Sequence, residues 1–155
     1  MKETELLELY DQYSNMVYRI AFSYLRHSHD AEDAVQSVFI KLIEGRAQPN
    51  EGKEKAFLAR ITVNYCKDIL RSAWKQRIVP LDETIKFEHE EDSELFHVVM
   101  TLPDKLRIVV HLHYYEGYSF SEIASFLKIG ASAVSMRLFR ARKMLNDKLN
   151  GGLLP

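Results

Sequence analysis

Tyr115-Glu116-Gly117-Tyr118-Ser119-Phe120-Ser121-Glu122-Ile123-Ala124, followed by Val134-Ser135-Met136-Arg137-Leu138-Phe139-Arg140-Ala141-Arg142, is the stretch on which the fold turns. Gly117 ends one helix. Ser119, followed three residues later by Glu122, spells a capping box that starts the next, along which Ile123, Ala124 and Leu127 share a face. After a break at Lys128, Ile129 and Gly130, a last helix places Val134, Leu138, Ala141, Leu145 and Leu149 on its buried side. Two short helices about three residues apart, with a small Ala in the first and an apolar residue early in the second, predict a helix-turn-helix.

Upstream the pattern stays helical. Pro103 and Asp104 open a helix through Leu106, Val109, Val110 and His113, and Leu95, Val98, Val99 and Leu102 precede it at helical spacing. From Val79 to Glu94 the periodicity fails, with seven acidic residues against one basic, so this segment reads as a flexible acidic linker. Before it lie three helical stripes. The first carries Leu6, Leu9, Tyr10, Tyr13, Met16, Val17, Ile20, Ala21 and Tyr24; the second carries Ala34, Val35, Val38, Phe39, Leu42 and Ile43, with Asp30 as N-cap and Glu32 and Asp33 in the first turn. Gly45 to Gly52 is a loop, and Phe57, Leu58, Ile61, Tyr65, Ile69 and Ala73 build the third helix. The expectation is an all-α chain of two small domains: residues 1–78, a linker over 79–94, and residues 95–155 ending in a disordered tail.

Of the 155 residues, 46% are hydrophobic and 28% charged, which excludes disordered and collagen-like classes. The single cysteine excludes an intrachain disulfide scaffold and points to a reducing, cytoplasmic setting. No apolar run approaches the roughly 18–20 residues of a membrane span, and the acidic, amphipathic start is unlike a signal peptide, so no membrane insertion is expected. The formal net charge of -1 hides an asymmetry: +1 over residues 1–78, -6 over 79–94 and +4 over 95–155.

Two helix faces carry chemistry. On the third helix Arg60, Asn64, Lys67, Arg71, Trp74 and Lys75 fall within an arc of roughly 100°, opposite Leu58, Ile61, Tyr65 and Ile69. Cations, an amide and an aromatic together can hold phosphates, hydrogen-bond a base edge and stack on a base; a solvated charged face is the alternative. On the last helix Ser132, Ser135, Met136, Phe139 and Lys143 point away from the core, flanked by Arg137, Arg140 and Arg142. Small polar residues near the N-terminus with cations beside them suit a groove-entering helix; the alternative is a plain amphipathic helix whose basic end complements its dipole. Phe139 can meet a thymine methyl or a protein partner. His27 with His29, and His111 with His113, are two apart and point to different helix faces, so no metal site is expected. There is no phosphate-cradling Gly loop, nucleophile elbow or HExxH, so neither an active site, a cofactor nor a small-molecule substrate is expected.

The opening stretch, with Leu102-Pro103-Asp104-Lys105-Leu106-Arg107 before it, resembles the −35-binding domain of bacterial RNA polymerase sigma factors. Asp30-Ala31-Glu32-Asp33-Ala34-Val35-Gln36-Ser37-Val38-Phe39 resembles the polymerase-binding helix of that family's other domain, and Phe57-Leu58-Ala59-Arg60-Ile61-Thr62-Val63-Asn64 through Arg71 its −10-binding helix. Two domains alone, in this order, match the extracytoplasmic-function group. The resemblance implies a non-enzymatic factor that binds core RNA polymerase, recognises −10 and −35 promoter DNA and promotes its melting. It implies that Asp30, Glu32, Asp33, Gln36 and Phe39 contact polymerase, that Asn64, Lys67 and Arg71 contact −10 DNA with Gly45 to Lys53 as the base-reading loop, and that an anti-sigma partner exists. Three positions depart from the family: Lys128 replaces its usual turn Gly, Gly130 its frequent Ser or Thr cap and Ser135 a frequent Lys; the dense Arg run that many relatives show after Arg71 is also missing. A helix-turn-helix regulator acting without polymerase, and a protein-binding adaptor, are the alternatives.

Overall fold

The apolar stripe that begins at Leu6 folds as a helix of six turns, α1 (Glu3–Leu25), in a computed structural model that describes residues 2–73 and 93–150. Helix α1 ends where Arg26 adopts a left-handed conformation, φ 64°, and α2 (Ser28–Ile43) returns antiparallel to it. A loop leads to α3 (Glu54–Ala73), which packs on both. Among the described residues there are seven α-helices and no strand, as the sequence predicts. The chain divides into two compact units, Met1–Pro80 and Leu81–Pro155. Most of the acidic linker and the proposed disordered tail lie outside the described residues; Ser93 and Glu94, assigned to the linker, begin α4 (Ser93–Met100).

The N-terminal core is made of Met16, Val17, Ile20, Ala21 and Tyr24 from α1, Ala31, Ala34, Val38, Phe39 and Leu42 from α2, and Leu58, Ala59, Val63 and Cys66 from α3. Two of these placements differ from the sequence reading. Helix α2 starts two residues before Asp30, with His27 at the N-cap position and no side-chain cap, so Asp30 sits in the first turn. Its carboxylate is still favoured there by the helix dipole. The buried face of α3 is centred on Ala59, Thr62 and Cys66, while Ile61, Tyr65 and Ile69 are only half-buried. The small residues occupy the line of closest approach and the larger ones seal its margin. Thr62 fits this apolar line because its hydroxyl donates to the Leu58 carbonyl, 2.6 Å away. Burial pushes the Cys66 thiol far above its ordinary value, because the thiolate would have no water around it.

In the C-terminal unit, α4 and α5 (Asp104–Val110) lead into a π-helical segment, His111–Tyr115, then α6 (Phe120–Leu127) and α7 (Ala131–Asn150). Gly117, at φ 76°, ends the segment, and the Tyr118 N–H donates to the Leu112 carbonyl at 2.9 Å. Both halves of the capping box form: the Glu122 N–H donates to the Ser119 hydroxyl at 3.1 Å, and the Ser119 N–H to the Glu122 carboxylate at 3.0 Å. Arg107 is fully buried, an outcome its charge does not announce. It donates to the Leu102 carbonyl at 2.8 Å and pairs with Asp104 at 2.5 Å, satisfying the turn between α4 and α5. His111 and Glu116 form a second buried pair at 2.7 Å across the π-helical segment.

The turn between α6 and α7 closes on Lys128 at φ 59°, with the Ile129 N–H donating to the Ala124 carbonyl at 3.0 Å. This is a helix stop that glycine fills without steric cost. A side chain there costs about 1–2 kcal/mol, partly offset because glycine loses more chain entropy on folding. Lys128→Gly should therefore raise the stability of the full chain by about 0.5–1 kcal/mol in urea unfolding; a lowered midpoint would show that Lys128 makes a compensating contact. Cys66 should resist iodoacetamide at neutral pH in the folded chain and react once urea unfolds it. Modification without unfolding would mean that α3 separates readily from α1 and α2.

Candidate nucleic-acid and polymerase interfaces

Because Ala59, Thr62, Val63 and Cys66 face inward, the opposite side of α3 is fixed outward. At about 100° per residue, Arg60, Asn64, Lys67 and Arg71 span roughly 60°. Arg60 and Arg71 are exposed, and Asn64 and Lys67 half-buried with their helix positions on the same side. Arg71 has Asp68 at 3.9 Å, a loose, solvent-exposed pair that costs little to open. Four of the six predicted residues thus share one surface. Trp74 and Lys75 lie outside the described residues. The loop before α3 turns on Gly45 and Gly52, at φ 71° and 79°, conformations that an L side chain rarely adopts. It leads directly into the first turn of α3.

On α7, Val134, Leu138 and Ala141 are buried, which turns Ser132, Ser135, Met136, Phe139, Arg140 and Lys143 to solvent and leaves Arg137 half-buried. Phe139 is 63% exposed and Met136 49%, an expense of apolar surface that folding does not explain. Arg142, a flanking cation, is tied within the domain: its Nε donates to the Tyr114 hydroxyl at 2.7 Å, and its guanidinium lies 5.7 Å from the Tyr114 ring centre. Tyr114 was not anticipated as its partner, since the two are 28 residues apart.

Along α2, Glu32, Asp33 and Gln36 are exposed and Asp30 is half-buried. Phe39 is 5% exposed, its ring edge-on to Tyr10 at 5.1 Å between centres. It continues the stripe of Ala31, Val35, Val38 and Leu42 against α1, as its spacing predicts, and so belongs to the core, unlike the exposed residues with which the family resemblance groups it. Ile40, which the sequence reading leaves out, and Ile43, which it places on the packed stripe, both stand on the outer face, at 45% and 63% exposure. Their signal was the helical step from Glu32 and Gln36. Across α1 and α2 there are seven carboxylates and two cations, Arg19 and Lys41, whereas α3 has four cations and two carboxylates. Among the described residues no cluster of His, Cys, Asp or Glu is arranged to hold a metal, and no helix is long and apolar enough to cross a membrane.

Comparison with known proteins gives this geometry its family. The sigma-70 region 2 family matches residues 9–76 and the sigma-70 region 4 family residues 93–145. The chain is 31% identical to the RNA polymerase sigma factor SigV of Bacillus subtilis, over 85% of this chain and 83% of that protein. It is 30% identical to the ECF RNA polymerase sigma factor SigE of Mycolicibacterium smegmatis, over 92% of this chain and 60% of that one, so it spans under two thirds of the mycobacterial protein's length. Two solved structures share the fold. CnrH in complex with the cytosolic domain of CnrY superposes with a TM-score of 0.70 at 23% identity, covering 98% of this chain and 92% of that one. The sigma factor RpoE of Bartonella quintana, in complex with the anti-sigma factor NepR, gives 0.65 at 19% identity, covering 95% of each. Matched by region 2 and region 4 in order over most of its length, the chain belongs to the extracytoplasmic-function group of the sigma-70 family.

Proposed function

We propose that this chain binds core RNA polymerase in the cytoplasm, directs it to promoters through −10 and −35 elements and helps separate the DNA strands, with polymerase itself making the phosphodiester bonds. The observation that carries the reading is the two-sided α3, whose small residues pack on the bundle while Arg60, Asn64, Lys67 and Arg71 line the outside. Separating a base-pair step costs about 1.4 kcal/mol of stacking. Phosphate contacts from the cations and a hydrogen bond from the Asn64 amide to an extruded base offset that cost. In this reading the α2–α3 loop, which turns on Gly45 and Gly52, receives that base.

In the C-terminal unit the outward side of α7 enters the major groove. Ser132 and Ser135 approach base edges, Arg137, Arg140 and Lys143 hold phosphates, and Met136 and Phe139 offer apolar surface to thymine methyls. Polymerase meets α2 through Asp30, Glu32, Asp33 and Gln36. An anti-sigma partner is part of the proposal, supported by the two neighbours solved with such partners. A regulator acting through its helix-turn-helix alone has no use for a region 2 domain, and residues 9–76 match one.

Purified chain added to core polymerase should yield transcripts that start at defined promoters, read by run-off transcription on genomic fragments. Failure to bind core polymerase at all would remove the proposal. Asn64→Ala combined with Lys67→Ala should slow opening of a duplex promoter about tenfold while changing affinity for a premelted one only about twofold, since the lost contacts weigh most where strand separation must be driven. Equal losses on both templates would remove the melting role from this face of α3.

A further inference from the structure

The π-helical segment ahead of the helix-turn-helix carries a contact that promoter recognition, as described above, leaves unused. π-helical turns are rare and gather at functional sites. Here the wide turn is held by two bonds, His111 Nε2 with the Glu116 carboxylate at 2.7 Å and His113 Nδ1 with the Tyr118 carbonyl at 2.9 Å. The His113 ring lies edge-on to Tyr114, 4.8 Å between centres, and tilted against Phe120 at 4.9 Å. Tyr114 is braced by His113 in this way, yet stays 52% exposed.

That exposed side chain meets Arg142 of α7. The Arg142 Nε donates to the Tyr114 hydroxyl at 2.7 Å, and the guanidinium carbon stands 5.7 Å from the ring centre. A guanidinium has five donors in a planar fork, and this contact uses one of them. The other four, on Nη1 and Nη2, have no partner among the described residues, and Arg142 is exposed. Two such nitrogens side by side suit two oxygens of one phosphate. At about 100° per residue, Arg142 lies roughly 20° round α7 from Ser135 and about 60° from Phe139, one turn beyond Phe139. It therefore borders the outward side of the helix. The surplus of four positive charges over residues 95–155 favours an anion at that border.

Resting on the sigma-factor reading, we infer that Tyr114 is a positioning residue for −35 DNA: it holds the Arg142 guanidinium by one nitrogen and by its face, so that the two Nη groups receive a single backbone phosphate at the edge of the groove. An arginine left free on a helix surface loses side-chain freedom when it grips a phosphate. Held by Tyr114, Arg142 has lost that freedom on folding, so more of the contact appears as affinity. A phosphate contact carries no base information and fixes instead where along the duplex α7 lies. Lysine cannot replace Arg142, because one ammonium nitrogen cannot stay on the Tyr114 hydroxyl and also present a planar pair of donors.

Equilibrium binding tests this, with the full chain reconstituted on core polymerase and a labelled duplex carrying a promoter identified by run-off transcription. Arg142→Gln should weaken binding about tenfold at low salt and lower the slope of log affinity against log salt by about one, the loss of one phosphate contact. Tyr114→Leu should weaken it about fivefold, and Tyr114→Phe about twofold because the ring face remains. In the Arg142→Gln background neither Tyr114 substitution should cost more, since Tyr114 acts only through that guanidinium. Arg142→Lys should lose about as much as Tyr114→Leu. Tyr114 and Arg142 are both exposed, so the variants keep the fold, which thermal melting verifies. Unchanged affinity or salt slope in Arg142→Gln overturns the phosphate contact. Unchanged affinity in Tyr114→Leu, or about a fiftyfold loss when it is combined with Arg142→Gln, overturns the positioning role. Wild-type chain that does not bind core polymerase, or whose complex with it selects no promoter, overturns the sigma-factor reading itself.

Discussion

Close packing of small residues along α3 is the constraint from which the N-terminal unit follows. Ala59, Thr62, Val63 and Cys66 bring the helix backbone near α1 and α2, where Ala21, Ala31 and Ala34 are equally small and equally buried. Packing at this density leaves α3 no freedom to rotate about its axis without opening voids or forcing larger neighbours together. Its outward side is set by that interlock, which places Arg60, Asn64, Lys67 and Arg71 in a row.

The C-terminal unit solves the same problem with polar chemistry. Among the described residues, three of its four α-helices have eight residues or fewer, and it buries two charged or chargeable pairs beside its apolar core. Arg107 ties the α4–α5 turn through Leu102 and Asp104, while His111 and Glu116 bracket the π-helical segment. Each is costly to leave half-satisfied, so each admits few alternative arrangements of its turn. The wider helical turn in turn places Tyr114 where it meets Arg142 of α7, linking the segment before the helix-turn-helix to the helix expected to enter the groove.

What the sequence made legible was whatever depends on spacing within a single helix. The capping box at Ser119 and Glu122, the stop at Gly117 and the outward side of α7 all follow from local geometry and hold in the structure. The errors arose where two helices meet. The start of α2 looked like Asp30 because a carboxylate is a good cap, but the chain enters through His27 and uses Asp30 one turn in. Phe39 looked like a contact residue because the family resemblance placed it in a binding helix, yet its ring fills the space beside Tyr10. The largest apolar residues of α3 suggest its buried side, but the smallest ones allow the closest approach and occupy it. Burial of Arg107 leaves no trace in periodicity, because it is made tolerable by the Leu102 carbonyl five residues earlier and the Asp104 carboxylate.

The separation of charge within the N-terminal bundle has a consequence for how the free protein moves among polyanions. A body of nearly balanced total charge feels little long-range pull toward a polyanion. Within a screening length of about 8–10 Å the picture changes, because one flank of the bundle is repelled and the other drawn in. Encounters with DNA are thereby sorted by orientation before any base is touched, with the carboxylate-rich helices turned toward whatever carries the protein there.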